Sequence, residues 1–198
     1  MRINFRTNTA NVGVSNVARV IEFKLSDASG DFAISTANVN VSTVNSAPTL
    51  PRTGSDTFSY ANNALFAGIG QGLTANDLEG NFTGGKLEVN VTSGAHSSNR
   101  VHLALPAPFS IVGNDLKHSG ITIGTIGNAI FGSGFGRDAI SVTFNGAATL
   151  SHVQQVTQAV RFRTNTGSGT STTQRVIEFK LTDGDGAAIT STAFVNVT

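Results

Sequence analysis

The strongest constraint on the fold is a long internal repeat. The segment Arg19–Leu25, which reads Arg-Val-Ile-Glu-Phe-Lys-Leu, recurs letter for letter at Arg175–Leu181. Further matches pair Phe5–Thr9 with Phe162–Thr166, Asp27 with Asp183, Ser35–Ala37 with Ser191–Ala193, and Val39–Val41 with Val195–Val197. The copies lie about 156 positions apart, far beyond the roughly 20 to 50 residues of a solenoid repeat. The repeating unit is therefore predicted to be a whole domain.

The repeat also predicts where one domain ends and the next begins. Residues 1 to about 45 match only the last part of the repeat. We expect residues 1–46 to be the C-terminal part of a preceding repeat, with about three strands, and residues 47–198 to be a complete repeat. Asn45–Leu50 is interpreted as the linker, stiffened by Pro48 and Pro51.

The shared segment has the pattern of a half-buried strand. Ile177, Phe179 and Leu181 alternate with Glu178 and Lys180, which is the period of two that places alternate side chains on opposite faces. The sequence Asp-Gly-Asp-Gly at positions 183–186 predicts a turn, and positions 193–197 predict the returning strand of a hairpin.

Other segments predict further short strands and one helix. The chain has 22 Gly, no Cys and no Trp, a composition typical of short strands joined by turns. Strands are expected at Thr57–Tyr60, Lys86–Thr92, Arg100–Leu105, Phe109–Val112, Ile121–Ile126 and Ile140–Phe144. A short helix is expected within Thr149–Val160, where apolar residues recur every three or four positions at Leu150, Val153, Val156 and Val160.

Several of these segments resemble the cadherin-like repeats of large bacterial surface proteins and adhesins. The resemblance rests on Ala47–Leu50, Leu73–Gly80, Gly84–Val91, Gly146–Leu150, Val160–Thr166 and Arg175–Gly184. It implies an Ig-like Greek-key β-sandwich of about seven strands, arranged in a tandem array at the cell surface, often with calcium between repeats. The expected fold class is thus all-β, a Greek-key β-sandwich with one short helix plus a partial preceding repeat.

Candidate calcium ligands follow from the carboxylates, because calcium prefers several converging hard oxygens. Asp183 and Asp185 are expected near Asn45 at the repeat junction, since the last hairpin of such a sandwich lies at the end where the linker enters. Asp77 and Glu79 are expected at the opposite end, facing a following repeat.

An alternative without metal remains open for the same residues. Asp-Gly-Asp-Gly is also ordinary hairpin-turn chemistry. The first copy keeps Asp27 but has Ser29 where the second has Asp185.

The sequence argues against several other functions. A formal net charge of +1 gives no field to attract nucleic acid or an anionic membrane, and no apolar run is long enough to be inserted in a bilayer. Four scattered histidines and no cysteine give no zinc-ligand spacing. No nucleophile motif or phosphate-binding loop is recognisable, and we expect the protein not to be an enzyme.

Three functional hypotheses remain. The first is a structural or adhesive repeat of an extracellular or cell-surface protein, whose partners are neighbouring repeats of the same or another copy of the chain. The second is a homo-oligomer or filament subunit whose partial sandwich is completed by strand exchange. The third is a carbohydrate-binding module, for which Tyr60 and the phenylalanines would have to supply the stacking surface.

Overall fold

The computed structural model describes residues 18–40, 45–62, 64–127, 138–164 and 173–198, and the backbone alone at 135–136. The chain forms two compact units, residues 1–45 and residues 46–198. Each unit is described by itself below. Within the described residues, no helix is long and apolar enough to cross a membrane.

The described part of the first unit is one antiparallel hairpin. Strand β1 spans Arg19–Ser26 and strand β2 spans Phe32–Val39, with Arg19 opposite Val39 and Ser26 opposite Phe32. A third strand, which the sequence led us to expect, would lie outside the described residues.

The second unit contains eleven strands and one helix among its described residues. They are β3 (Thr57–Tyr60), β4 (Lys86–Ser93), β5 (Arg100–Leu103), β6 (Phe109–Val112), β7 (Asp115–His118), β8 (Ile121–Gly127), β9 (Phe135–Gly136), β10 (Ala139–Phe144), α1 (Leu150–Gln158), β11 (Val160–Arg163), β12 (Arg175–Thr182) and β13 (Ala188–Val197). Eight strands form one sheet in the order β3-β13-β12-β4-β10-β8-β7-β6, and three form another in the order β11-β5-β9. The pairing of β13 with β3 is parallel, whereas the other described strand pairs of this unit are antiparallel.

The core lies between these elements and draws on both sheets and the helix. Side chains with no exposed surface come from the large sheet (Val89, Ile177, Phe179, Leu181, Val195), from the small sheet (Val101, Val160, Phe162) and from α1 (Val153, Val156). Burying such a side chain contributes about 1.5–3 kcal/mol relative to leaving it in water. The predicted all-β sandwich with one short helix is confirmed.

The strand that contains the repeated segment follows its predicted alternation. Burial switches at every residue of β12, so that Ile177, Phe179 and Leu181 point inward. Glu178 and Lys180 lie on the other face, and Lys180 Nζ is 3.8 Å from Glu88 Oε2 of β4. The predicted hairpin is also confirmed, because β12 pairs with β13 from Arg175 opposite Val195 to Thr182 opposite Ala188.

The helix begins and ends as its side chains dictate. Thr149 is the N-cap: its side chain accepts a hydrogen bond from the His152 N–H, and His152 Nδ1 accepts one from the Thr149 N–H. This reciprocal capping box satisfies two donors that a helix start otherwise leaves unpaired. Val160, which we expected to end the helix, instead opens β11 and pairs with Leu103.

The second unit has more strands than the seven that the resemblance implies. Strand β7 is one addition, and its sequence Asp-Leu-Lys-His has a single apolar residue, Leu116, which is fully buried. It pairs with β8 on one side and with the edge strand β6 on the other, and this pairing, not its own apolar pattern, makes it a strand.

Candidate functional site

Two of the predicted calcium ligands, Asp183 and Asp185, lie in the turn between β12 and β13. Asp183 is 2% exposed, and its Oδ1 accepts hydrogen bonds from the Asp185 N–H and the Ala187 N–H, both at 2.9 Å. Gly186 follows with φ 95°, a conformation that favours glycine. The Asp183 carboxylate therefore holds the turn closed through its own backbone.

A neighbouring loop packs directly on this turn. The Gly184 N–H donates to the Asn81 carbonyl at 2.8 Å, and a Cβ at Gly184 would lie 2.8 Å from the Thr83 carbonyl oxygen. Asn81 Nδ2 also donates to Asp185 Oδ2 at 3.2 Å. The glycine thus permits the loop before β4 to contact the turn closely.

The equivalent turn in the first unit uses the same device. Asp27 Oδ1 accepts hydrogen bonds from the Ser29 N–H at 2.9 Å, the Ser29 hydroxyl at 2.8 Å and the Asp31 N–H at 3.0 Å. The Ser29 hydroxyl, and with it these backbone amides, lower the pKa of Asp27. Both copies therefore show the geometry that the metal-free alternative requires.

Asp77 and Glu79 lie in the loop that packs on the turn of the second unit. Asp77 is 7% exposed; its Oδ2 accepts from the Gly80 N–H at 2.6 Å, whereas its buried Oδ1 has no hydrogen-bond partner. Burial raises the pKa of Asp77, and the nearby carboxylates of Glu79 and Asp183 add to this rise, while the backbone amides of Gly80 and Asn81 oppose it. Glu79 accepts from the N–H and the hydroxyl of Ser46, at 3.3 and 3.2 Å.

The expected separation of the two acidic pairs is wrong. Strand β4 pairs antiparallel with β12, with Lys86 opposite Thr182. The loop that enters β4 and the turn that leaves β12 must therefore lie at the same end of the sheet. Asp77, Glu79, Asp183 and Asp185 form one acidic cluster there, in place of two half-sites at opposite ends.

Asn45 was the fifth predicted ligand. It is the last residue of the first unit, whereas the acidic cluster belongs to the second. Its expected proximity to Asp183 stays a prediction.

The acidic cluster does not form a calcium cage as it stands. No three Asp, Glu or His side chains of the described residues are grouped in a way that could hold a metal ion. Asp183 Oδ1 is used by the turn and Glu79 by Ser46. Asp77 Oδ1 is the buried oxygen of this cluster that lacks a partner, and a cation ligated there would need other carboxylates to turn toward it.

Two of the four histidines meet, contrary to the expectation that all are scattered. The rings of His118 in β7 and His152 in α1 are 4.3 Å apart between centroids, and the Phe109 ring lies 4.7 Å from His118. Burial, and then the neighbouring His118, lower the pKa of His152, while a hydrogen bond with the Ala147 backbone opposes them. No spacing in the sequence signals this pair, because sheet pairing and helix docking bring the two residues together.

The aromatic side chains among the described residues give little support to glycan stacking. Tyr60 is 2% exposed, donates from its hydroxyl to the Ala64 carbonyl at 2.7 Å, and packs its ring edge-on against Phe162. Phe32 is exposed, but the Lys24 ammonium lies 4.0 Å above its ring centroid. The glycine-rich connector at 132–136 lies outside the described residues except for the backbone of β9.

Comparison with known proteins adds no family to this description. No family model matches the chain, and no curated protein matches it. The likeness to cadherin-like repeats therefore stays an expectation based on the quoted segments.

Proposed function

We propose that this protein is a non-catalytic structural module of a large secreted or cell-surface protein, which carries mechanical load as one repeat of a tandem array. The duplicated hairpin supports the repetitive character of the parent protein. The observation that carries the proposal is the parallel pairing between the first and last strands of the second unit.

The first and last strands run side by side in the same direction. Phe194 is opposite Thr57 and Val197 is opposite Tyr60 in the register of β13 with β3. Backbone hydrogen bonds extend the pairing at both ends: Phe194 N–H to the Asp56 carbonyl at 2.8 Å, Thr198 N–H to the Tyr60 carbonyl at 2.9 Å, and Asn62 N–H to the Thr198 carbonyl at 2.9 Å. Tension applied through the segment that precedes β3 and through the C-terminal end of β13 pulls these two strands in opposite directions.

This geometry determines how a pulling force acts on the bonds. Strand hydrogen bonds lie across the strand direction, so opposite forces along two parallel neighbours load all of these bonds in shear. They must break together, whereas a hairpin pulled from its open end loses its bonds one by one. A module joined to its neighbours through these two ends resists extension better than one whose terminal strands form an ordinary hairpin.

Calcium bound at the acidic cluster of the second unit forms a second part of this proposal. The acidic cluster and the orphaned Asp77 Oδ1 support it, since a cation there would relieve the repulsion among the carboxylates. Such a cation would stiffen the end of the unit at which Ser46 enters. The load-bearing role does not depend on it.

The direct test is single-molecule pulling of the full chain. With handles at Ser46 and Thr198, we expect one cooperative unfolding event whose force exceeds that measured with handles at Ser46 and Asp185. The second pair loads the unit through the β12–β13 turn and does not pull β13 past β3. Equal forces in the two geometries would contradict the load-bearing proposal.

A further inference from the structure

The two copies of the hairpin have the same register but opposite environments. Arg19 opposite Val39 corresponds to Arg175 opposite Val195, and the correspondence continues to the turn-proximal pair. Leu25 is 77% exposed, whereas its equivalent Leu181 has no exposed surface. None of the described residues 18–40 is buried.

Every apolar position that the second hairpin buries carries the same residue in the first. Ile177, Phe179, Leu181, Ala193, Val195 and Val197 correspond to Ile21, Phe23, Leu25, Ala37, Val39 and Val41. The buried Arg175 corresponds to Arg19, and the turn-closing Asp183 to Asp27. The differences fall on the outward face, in the turn and at one inward-facing position near the turn, where Ala33 is opposite Leu25 and the partly exposed Ile189 is opposite Leu181. The inward face of the first hairpin is therefore shaped for the surroundings of the second.

The second unit shows what those surroundings are. Strands β12 and β13 fill the space between β3 and β4, which we call the hairpin slot. We infer that the hairpin at residues 18–40 binds in the hairpin slot of a second copy of this chain and links copies by exchange of equivalent hairpins. This inference rests on the proposed modular function and names the partner of the module.

The slot that this hairpin enters is that of another copy, because the stretch between the hairpin and Ser46 is too short to reach the slot formed by residues 46–198 of the same chain. In the slot, Val41 would take the position of Val197, at the end of β13 opposite the turn. That position is nine residue steps from Ala188, or about 31 Å. Ser46 is tied through Glu79 to the loop that packs on the turn, at the other end of the strand. Five residue steps from Val41 to Ser46 span at most about 18 Å.

Breaking the contact between Ser46 and Glu79 would not free enough chain for the hairpin to reach its own slot unless further contacts were also lost. Thr49 exchanges two backbone hydrogen bonds with Asn76, at 2.7 and 3.0 Å, and Leu50 is 4% exposed. A hairpin from a second molecule meets no such constraint. In the wild-type chain the tethered hairpin at 173–198 competes for the slot, so exchange grows with concentration and with any damage to that hairpin.

The test damages one hairpin at a time in the full chain. Ile177→Asp combined with Phe179→Asp places two charges at fully buried positions and expels the chain's own hairpin from the slot. We expect this variant to remain folded as an oligomer whose melting temperature rises with protein concentration. Adding Ile21→Asp and Phe23→Asp removes the remaining competent hairpin, and this quadruple variant should show no cooperative transition at any concentration.

A cysteine pair reports where the hairpin binds, and the natural chain contains no cysteine to interfere. Lys180 is opposite Glu88, so Lys24 of the exchanged hairpin would be opposite Glu88 of the other copy. In the double-aspartate background, Lys24→Cys with Glu88→Cys should give an intermolecular disulfide. The matched pair Val20→Cys with Glu88→Cys lies four residues out of register and should not.

Each outcome of these experiments either supports hairpin exchange or contradicts it. A folded oligomer with the 24–88 disulfide supports hairpin exchange. A double-aspartate variant as unfolded as the quadruple variant overturns it, and so does an assembly without that disulfide, such as two hairpin faces packed on each other. Neither result bears on the pulling geometry of the wild-type unit, so failure here is distinguishable from failure of the proposed function.

Discussion

Phe23 and Phe179 are the same residue of the repeat in two environments. Phe179 has no exposed surface and packs in the core, whereas Phe23 is only partly covered. The contribution of the aromatic side chain to stability should therefore differ between them, although their local sequences are identical. The contrast shows at one position how the same residue of the repeat is buried in one hairpin and partly exposed in the other.

Alanine substitution should separate the two positions. We expect Phe179→Ala to lower the free energy of unfolding of the second unit by about 3–5 kcal/mol, because it removes a buried ring and leaves a cavity. The matched change Phe23→Ala should leave that transition within about 0.5 kcal/mol of wild type. Urea denaturation of the full chain measures both, and a similar cost for the two variants would contradict the burial pattern.

Asp77 provides a prediction about charge. The pKa of Asp77 is raised in the folded state, so protonation of this carboxyl favours folding. This contribution to the free energy of unfolding is fully present below the unfolded pKa of 3.8 and is lost as the pH rises through the folded pKa. We expect Asp77→Asn to raise the melting temperature at pH 7 by about 2–4 °C. The difference between variant and wild type should shrink as the pH is lowered toward 4.

Calcium can be tested on the same variant. If the cluster binds calcium through Asp77, millimolar calcium should raise the melting temperature of wild type and of the control Glu178→Gln, but not that of Asp77→Asn. An equal response of all three proteins, or no response of wild type, would contradict calcium binding at the cluster.

At the scale of elements, the N-terminus of helix α1 is expected to make the stability of the fold depend on pH. The neutral His152 ring accepts the Thr149 N–H in the capping box, and it packs beside His118. Protonation of Nδ1 would remove that acceptor and place a positive charge at a helix N-terminus, which the helix dipole disfavours. The capping geometry and the lowered pKa thus both indicate that folding favours the neutral form of His152.

We expect the free energy of unfolding to fall as the pH drops below the unfolded histidine value of 6.5, until it levels off below the folded pKa of His152. Glutamine suits the third position of a capping box, so His152→Gln should keep the helix and flatten this pH dependence. Denaturant titrations at pH 7.5 and pH 5 measure the difference. An unchanged slope in the variant would assign the dependence to other groups.

The elements differ in how well the sequence predicts them. Strands β3 and β6 match their predicted bounds, and β12 shows its predicted alternation, because their apolar residues follow the strand period. Strand β7 could not be found this way, since its place depends on pairing with β6 and β8 across a polar sequence. Val160 continues the helical spacing of α1, but pairing with β5 takes it into β11.

In the acidic cluster, too, the features that depend on neighbouring residues were predictable and those that depend on distant strand pairing were not. The turn at 183–186 was predictable because Asp and Gly determine it locally. The position of Asp77 depends on which strand β4 pairs with, and that pairing is set by residues far apart in the chain. The His118–His152 contact likewise needs the packing of α1 beside the β6–β7 hairpin before it can be inferred.

At the scale of the whole molecule, the described residues contain one hairpin slot and two hairpins that share most of their inward-facing residues. The second unit keeps its own hairpin between β3 and β4, where it also supplies the strand that bears the load. The first hairpin has the same inward residues without an equivalent cover among the described residues. Load bearing and assembly thus depend on the same pair of strands.

Amide hydrogen exchange of the full chain, resolved by NMR at low protein concentration, tests this account most directly. Each amide of Val20–Leu25 has an equivalent of the same residue type in Val176–Leu181, so the chain is its own control. We predict strong protection of Ile177, Phe179 and Leu181 and protection lower by several orders of magnitude at Ile21, Phe23 and Leu25. Equal protection of the two segments would contradict the claim that one hairpin is buried between β3 and β4 and the other is not.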